Sequence, residues 1–130
     1  MTYGCPPVPL LTNKTEIVQQ PVVLQELTAR YAAEAVQRIE GWGGSDAPFA
    51  LYVAFDHPHS PQFASDARRG TSLKGTYGDS IEELDAAVGR VMDAVRTLDE
   101  RSTLVLFTYD NGAPASSYAA GSNQPFSGSK

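Results

Sequence analysis

Residues 49–55 form an uninterrupted apolar run of strand length, and residues 103–109 form a second run that is apolar apart from Thr103 and Thr108. Both runs are rich in aromatic and β-branched side chains. A strand that is apolar on both faces is typical of a sheet that is covered on both sides, as in α/β proteins. A helical pattern separates the two runs, and this order predicts a strand–helix–strand crossover, which is parallel and right-handed in nearly all known cases. We therefore predict an α/β fold with these two strands parallel.

Two segments carry the helical period. Apolar residues recur at three- and four-residue steps from Leu24 to a helix end near Gly41, which predicts the first helix. A second pattern covers about residues 80–98, with Asp79 or Ser80 as the expected N-cap. This second pattern leaves several acidic residues off its apolar face: Glu82, Glu83 and Asp85.

The remaining sequence defines how the chain is organised. Its length suits a single domain, and we expect residues 1–130 to form one partial catalytic domain. Four prolines mark residues 1–23 as an extended arm, residues 24–112 form the predicted α/β core, and the Ser-, Ala- and Gly-rich residues 113–130 form a loop at the active site. About 20 aperiodic residues follow position 56, and a loop of that length is usually functional or mobile.

Charge and hydropathy exclude two classes of partner. Ten Lys and Arg against fifteen Asp and Glu give a net charge of −5, which offers no attraction to a nucleic-acid backbone. The apolar runs are far shorter than the roughly 20 residues that a membrane span needs. We therefore expect neither nucleic acid nor a membrane span.

A polar cluster directly follows each of the two apolar runs. Asp56, His57 and His59 come after the first run, and Asp110 and Asn111 come after the second. Ligands of open parallel sheets bind at the carboxyl ends of the strands, so these clusters are expected to converge there. Each cluster taken singly is also what an ordinary loop or Asn-Gly turn contains. A separate motif, beginning at Asn13, fits the Asn-x-Ser/Thr glycosylation acceptor.

The motifs taken together resemble a known family. In order along the chain they are PVPLL, PFALYVAFDHPHSPQFAS, GTYGDSIEELDAAVGRVMDAV, TLVLFTYDNGAP and GSNQPFSGSK. They resemble successive segments of the sulfatase family, within it the arylsulfatase A-like and N-acetylgalactosamine-6-sulfatase-like branches. The resemblance implies an α/β fold similar to alkaline phosphatase, a hydrolase acting on sulfuric esters, and a lysosomal, secreted or periplasmic location.

The resemblance also implies roles for individual residues. Asp110 and Asn111 match ligands of a divalent cation, Ca²⁺ or alternatively Mg²⁺, and such oxygen donors suit hard cations. His59 matches the histidine beside the sulfate and the leaving oxygen, and Lys130 matches a lysine that binds sulfate. Both are therefore expected to be catalytic and substrate-binding, and His57 falls on a neighbouring substrate-binding position. The implied substrates are small sulfate esters or sulfated glycans and glycolipids.

The sequence departs from the family at the nucleophile. Sulfatases oxidise a cysteine or serine within a motif such as Cys-x-Pro-x-Arg to formylglycine, but the segment that begins at Cys5 lacks the arginine of that motif and has Pro9 in its place. We therefore expect a fragment of a longer enzyme, inactive alone, whose partner is the remainder of the sulfatase domain. Two alternatives stay open: a non-catalytic truncated sulfatase-like protein, and a phosphoryl or phosphonate hydrolase of the same fold.

Overall fold

A computed structural model of the chain describes residues 10–12, 15–98, 102–113 and 121–128. Residues 1–98 and 99–130 form two compact units. The first unit contains strands β1 (Leu10–Thr12) and β2 (Glu16–Gln19) and helices α1 (Leu24–Trp42) and α2 (Gly75–Arg96). Within the described ranges, neither helix combines the length and apolar content that a membrane span requires.

The stretch predicted as an extended arm contains a hairpin. β1 pairs antiparallel with β2, with Leu11 opposite Ile17 and an irregular register next to Leu10. The prolines of this stretch flank the paired residues, so every paired residue keeps the backbone N–H that Pro lacks. The described strands of this stretch, β1 and β2, are therefore paired with each other.

The two helices confirm the helical periods read from the sequence. α1 ends within two residues of the predicted boundary. It buries Leu27, Ala35 and Ile39, and all three belong to the apolar pattern that predicted this helix. α1 packs against α2, and their core consists of Ile39, Ala94 and Val95, surrounded by Val36, Val91 and Leu98. An amphipathic stripe on each helix therefore produces this core.

The start of α2 differs from the prediction. The helix begins at Gly75, so Asp79 and Ser80 lie inside it and neither caps its N-terminus. Both residues are buried, and Asp79 receives hydrogen bonds from the loop that precedes the helix. Asp79, which the sequence suggested as an N-cap, therefore accepts hydrogen bonds from the backbone of the loop instead.

Neither apolar run is a β-strand in the described part of the chain, and this corrects the prediction of two strands. A strand belongs to a sheet, and the sheet in the described part of the chain consists of β1 and β2 alone, so neither run is part of it. Their large side chains are correspondingly open to solvent, with Tyr52 92%, Leu104 83% and Leu106 82% exposed. The parallel crossover stays a prediction.

Aromatic contacts attach the first run to α1 at both of its ends. The rings of Trp42 and Phe49 lie 4.6 Å apart, and those of Tyr31 and Phe55 lie 6.3 Å apart in an edge-on arrangement. Asp56 follows Phe55 directly, and its carboxylate together with burial raises the pKa of Tyr31, with burial the larger cause. These contacts fix the point from which the histidine-bearing loop leaves the run.

Candidate functional site

The two histidines begin the loop of residues 57–74, here called the histidine loop, and their environments differ. His57 is only 5% exposed, and its ring stacks on that of Phe63 at 4.3 Å. Neither ring nitrogen of His57 has a hydrogen-bond partner among the described residues. Burial lowers the pKa of His57, while the nearby carboxylates of Glu83 and Asp56 oppose that shift. His57 therefore faces inward, in surroundings whose burial favours its neutral form.

His59 is the exposed histidine of the loop. Its backbone N–H donates to the carbonyl of Asp56 at 3.0 Å, and its Nδ1 lies 2.6 Å from the carbonyl oxygen of Ser60. A carbonyl oxygen only accepts, so this contact favours the tautomer with the proton on Nδ1. Nε2 of His59 is then the ring nitrogen with a free lone pair, which can accept a hydrogen bond.

Carboxylates of α2 fasten the histidine loop to the helix. Asp79 accepts hydrogen bonds from the backbone N–H groups of Gly70 and Ser72, both at 2.8 Å. Glu83 accepts one from the N–H of Ser65 at 2.6 Å. The two backbone bonds to Asp79 lower the pKa of its carboxyl group, because they stabilise the charged form. The loop thus has a defined position without secondary structure of its own.

The absence of a side chain at Gly78 allows Ser72 of the histidine loop to lie close to α2. A Cβ at that position would contact the side-chain oxygen of Ser72 and would lie 2.7 Å from the Cβ of Ser72. Gly70 has a φ of +77°, a left-handed conformation that glycine adopts at little cost. The glycines of this region therefore permit both the sharp turn of the loop and its contact with the first turn of α2.

The second unit carries the candidate metal ligands. Asp110 and Asn111 are both exposed and adjacent in the chain. Two residues later, Ala113 exchanges a pair of hydrogen bonds with the side chain of Asn123: its N–H donates to Oδ1 at 2.7 Å, and its carbonyl accepts from Nδ2 at 2.9 Å. A Cβ on Gly112 would lie 2.5 Å from that same Oδ1. Asn123 therefore holds the segment that follows the Asp110–Asn111 pair.

The chemistry of this pair fits a hard divalent cation, but its number of donors is small. A carboxylate and an amide oxygen are the donors that Ca²⁺ and Mg²⁺ prefer, and Ca²⁺ takes six to eight of them. No group of three or more His, Cys, Asp or Glu side chains that could hold a metal occurs among the residues that the structure describes. The pair alone accordingly offers fewer oxygen donors than Ca²⁺ takes.

The structure thus places the predicted site residues in two sets. His57 and His59 lie together in the first unit, and Asp110 and Asn111 lie together in the second. Lys130, the glycosylation candidate Asn13 and Cys5 fall outside the described residues.

Sequence reasoning missed the residues that hold these sets in place, namely Asp79, Glu83 and Asn123. The four-residue spacing of Asp79 and Glu83 was the available signal, because it puts both carboxylates on one side of a helix. Such spacing is common on exposed helix faces, so only the structure shows that both carboxylates are buried.

Comparison with known proteins identifies the family. The Sulfatase family model matches residues 6–130. Arylsulfatase A of Homo sapiens is 44% identical over 110 residues, which cover 84% of this chain and 22% of that protein. N-acetylgalactosamine-6-sulfatase of Mus musculus is 42% identical over 103 residues, covering 77% of this chain and 20% of the relative. Steryl-sulfatase of Mus musculus is 39% identical over 127 residues, covering 92% and 20%.

The chain therefore spans about a fifth of the length of these curated relatives. The family implies an α/β fold of the alkaline phosphatase type, of which the described residues show two helices and a short hairpin. Because the match extends over nearly all of the 130 residues, the chain belongs to the sulfatase family.

Proposed function

We propose that this chain is part of the catalytic domain of a sulfuric ester hydrolase of the arylsulfatase type. The family match over residues 6–130 supports the reaction class. One observation on the site supports the proposal further: His59 is exposed on a loop that buried carboxylates hold in place. The assignment of His59 to the family's histidine position rests on the sequence resemblance. An exposed, held histidine suits proton transfer at a bound ester.

In this proposal, two side chains act directly on the sulfate ester. His59 donates a proton to the departing alcohol, a role that a histidine side chain fills as a general acid. Lys130 binds the sulfate oxygens and offsets their negative charge. His57 was assigned to substrate binding from its sequence position, and its burial against Phe63 favours a role in supporting the loop instead.

Asp110 and Asn111 are the proposed ligands of a divalent cation, Ca²⁺ or alternatively Mg²⁺. When bound, such a cation would offset the negative charge of the sulfate oxygens. The two residues supply too few oxygen donors for tight binding, so the 130-residue chain is expected to bind Ca²⁺ weakly. Calorimetry on this chain tests the expectation, and stoichiometric binding at micromolar Ca²⁺ would show that further ligands lie within it.

The proposed nucleophile is a formylglycine formed within Cys-x-Pro-x-Arg, a motif that does not occur in these 130 residues. The chain alone is therefore expected to be inactive, because residues that bind sulfate do not replace the group that attacks it. The proposed partners are the remainder of the sulfatase domain and a sulfate ester, which is a small molecule, a glycan or a glycolipid.

Release of a chromogenic phenol from its sulfate ester tests this proposal. The assay compares the 130-residue chain with a longer polypeptide in which this chain is joined to a segment carrying Cys-x-Pro-x-Arg. We expect no activity above background from the chain alone and measurable turnover from the longer polypeptide. In that polypeptide, His59→Ala should lower turnover by about 10²-fold or more.

Two further variants separate the remaining roles. Lys130→Ala should weaken both sulfate binding and turnover, whereas Asp110→Asn should act through loss of the cation and be partly restored by excess Ca²⁺. Activity in the chain alone, or full activity in the His59→Ala polypeptide, would contradict the proposed roles. Preference for a phosphate ester over the sulfate ester would instead support the phosphoryl hydrolase alternative.

A further inference from the structure

The first residues of the histidine loop form an exposed segment whose two ends are buried. His57 at one end and Phe63 at the other stack at 4.3 Å, and both are less than a tenth exposed. His59 lies between them and is exposed. The ring contact between the ends therefore limits where His59 can lie.

Glu83 of α2 is the helix side chain that fastens this segment. It is 7% exposed, and its Oε2 accepts a hydrogen bond from the backbone N–H of Ser65 at 2.6 Å. Ser65 follows the buried Phe63 and Ala64, so the bond fixes the chain immediately after the ring contact. A buried carboxylate needs hydrogen bonds or a paired charge, and the N–H of Ser65 supplies one such bond to Glu83.

Glu83 is also close to the other end of the segment. Its charge acts on the ring of His57, as does that of Asp56. The nearby acidic residues of α2 behave differently: Glu82 contacts only the exposed hydroxyl of Thr71, and Asp85 is exposed. Of Glu82, Glu83 and Asp85, Glu83 is thus the residue whose carboxylate binds the segment that carries His59.

We propose that Glu83 is a positioning residue for His59. Through Ser65 and the His57–Phe63 ring contact, it holds the segment of residues 57–65 so that His59 keeps its N–H bond to Asp56 and its Nδ1 contact with Ser60. Glu83 touches no reacting atom. The catalytic consequence rests on the proposed function, whereas the effect on the conformation of His59 does not.

A matched pair of substitutions tests the hydrogen bond. Glu83→Gln keeps an oxygen acceptor for Ser65, and Glu83→Met has similar size and helix propensity but no comparable acceptor. Both remove the charge, so they differ mainly in the hydrogen bond. Asp85→Met is the control for an added methionine on the same helix, because Asp85 is exposed.

The readout is nitrogen-15 NMR of the 130-residue chain, which contains only two histidines. In the parent chain and in Glu83→Gln, His59 should show the tautomer with the proton on Nδ1. In Glu83→Met, that signal should move toward the tautomer mixture of an unstructured peptide, and the amides of Ser65 and His59 should exchange about tenfold faster or more. Asp85→Met should match the parent chain.

A kinetic experiment in the longer polypeptide carries the inference to catalysis. Glu83→Met should lower kcat about tenfold with KM changed less than about twofold, since the loss concerns the proton donor. Glu83→Gln should restore most of kcat. An unchanged tautomer of His59 in Glu83→Met would overturn the inference.

Loss of the helical far-UV signal in Glu83→Met but not in Glu83→Gln would overturn it too, because Glu83 would then be needed for folding. If His59→Ala retains activity while the NMR result holds, the proposed function fails and the positioning role of Glu83 stands.

Discussion

The histidine loop and the Asp110–Asn111 pair both lack secondary structure, yet the chain supports them to different degrees. Two buried carboxylates of α2, Asp79 and Glu83, bind the backbone of the loop. The Asp110–Asn111 pair is exposed, and the adjoining residue Ala113 is held by the side chain of Asn123. A loop is thus fixed where buried polar groups accept hydrogen bonds from its N–H donors, whereas the exposed Asp110–Asn111 pair has no such buried partner among the described residues.

The largest expected effect is a difference in unfolding free energy between substitutions in the two units that carry these regions. Ile39 is 1% exposed in the helix core of the first unit, so Ile39→Ala should cost about 2–5 kcal/mol of unfolding free energy. Leu106 is 82% exposed in the second unit, and Leu106→Ala should change that free energy by less than about 0.5 kcal/mol. Urea unfolding followed by far-UV circular dichroism measures both.

An equal cost for the two substitutions would contradict this description. It would mean that Leu106 is packed in solution as tightly as Ile39, and hence that the second unit has an apolar core of its own.

These differences indicate what the sequence alone could predict. The helices followed from their 3.6-residue period, because their hydrogen bonds are internal to each segment. The apolar runs at residues 49–55 and 103–109 were wrongly predicted to be strands here, because strand pairing depends on partners that a local pattern does not specify. The position of His59 on an exposed loop was predictable, but its support by Asp79 and Glu83 was not, since burial of a carboxylate depends on tertiary packing.

The second prediction concerns the contact between the histidine loop and α2. A Cβ on Gly78 would lie 2.7 Å from the Cβ of Ser72, so Gly78→Ala should displace the loop and cost about 1–3 kcal/mol. Gly89 is the matched control on the same helix, because a Cβ there would meet nothing within 4 Å. Gly89→Ala should stabilise the chain by about 0.5–1 kcal/mol, since alanine favours helix. Thermal unfolding of the two variants checks this, and equal effects would show that the loop does not lie against the helix.

The third prediction, smaller in size, uses the lowered pKa of Asp79. The folded pKa lies below the ordinary value of 3.8, so the contribution of this carboxylate is fully present above that pH and is lost as the pH falls through the folded pKa. Asp79→Asn leaves one oxygen for two N–H donors and removes this titration. The variant should be less stable at pH 6 and should lose less further stability than the parent chain below pH 3.8.

Urea midpoints at several pH values between 6 and 2 give the comparison. Identical acid dependence in the two proteins would show that Asp79 does not carry the charge that binds Gly70 and Ser72.

Hydrogen exchange of individual amides tests the difference between the two regions most directly. The amides of Ser65, Gly70 and Ser72 donate to buried carboxylates, whereas the structure shows no backbone hydrogen bond from the amides of Asn111 and Gly112 in the described part of the chain. After correction for intrinsic rates, we predict that the three loop amides exchange more than about tenfold more slowly than those of Asn111 and Gly112. Equal rates in the two sets would contradict the claim that this chain's own carboxylates hold the histidine loop.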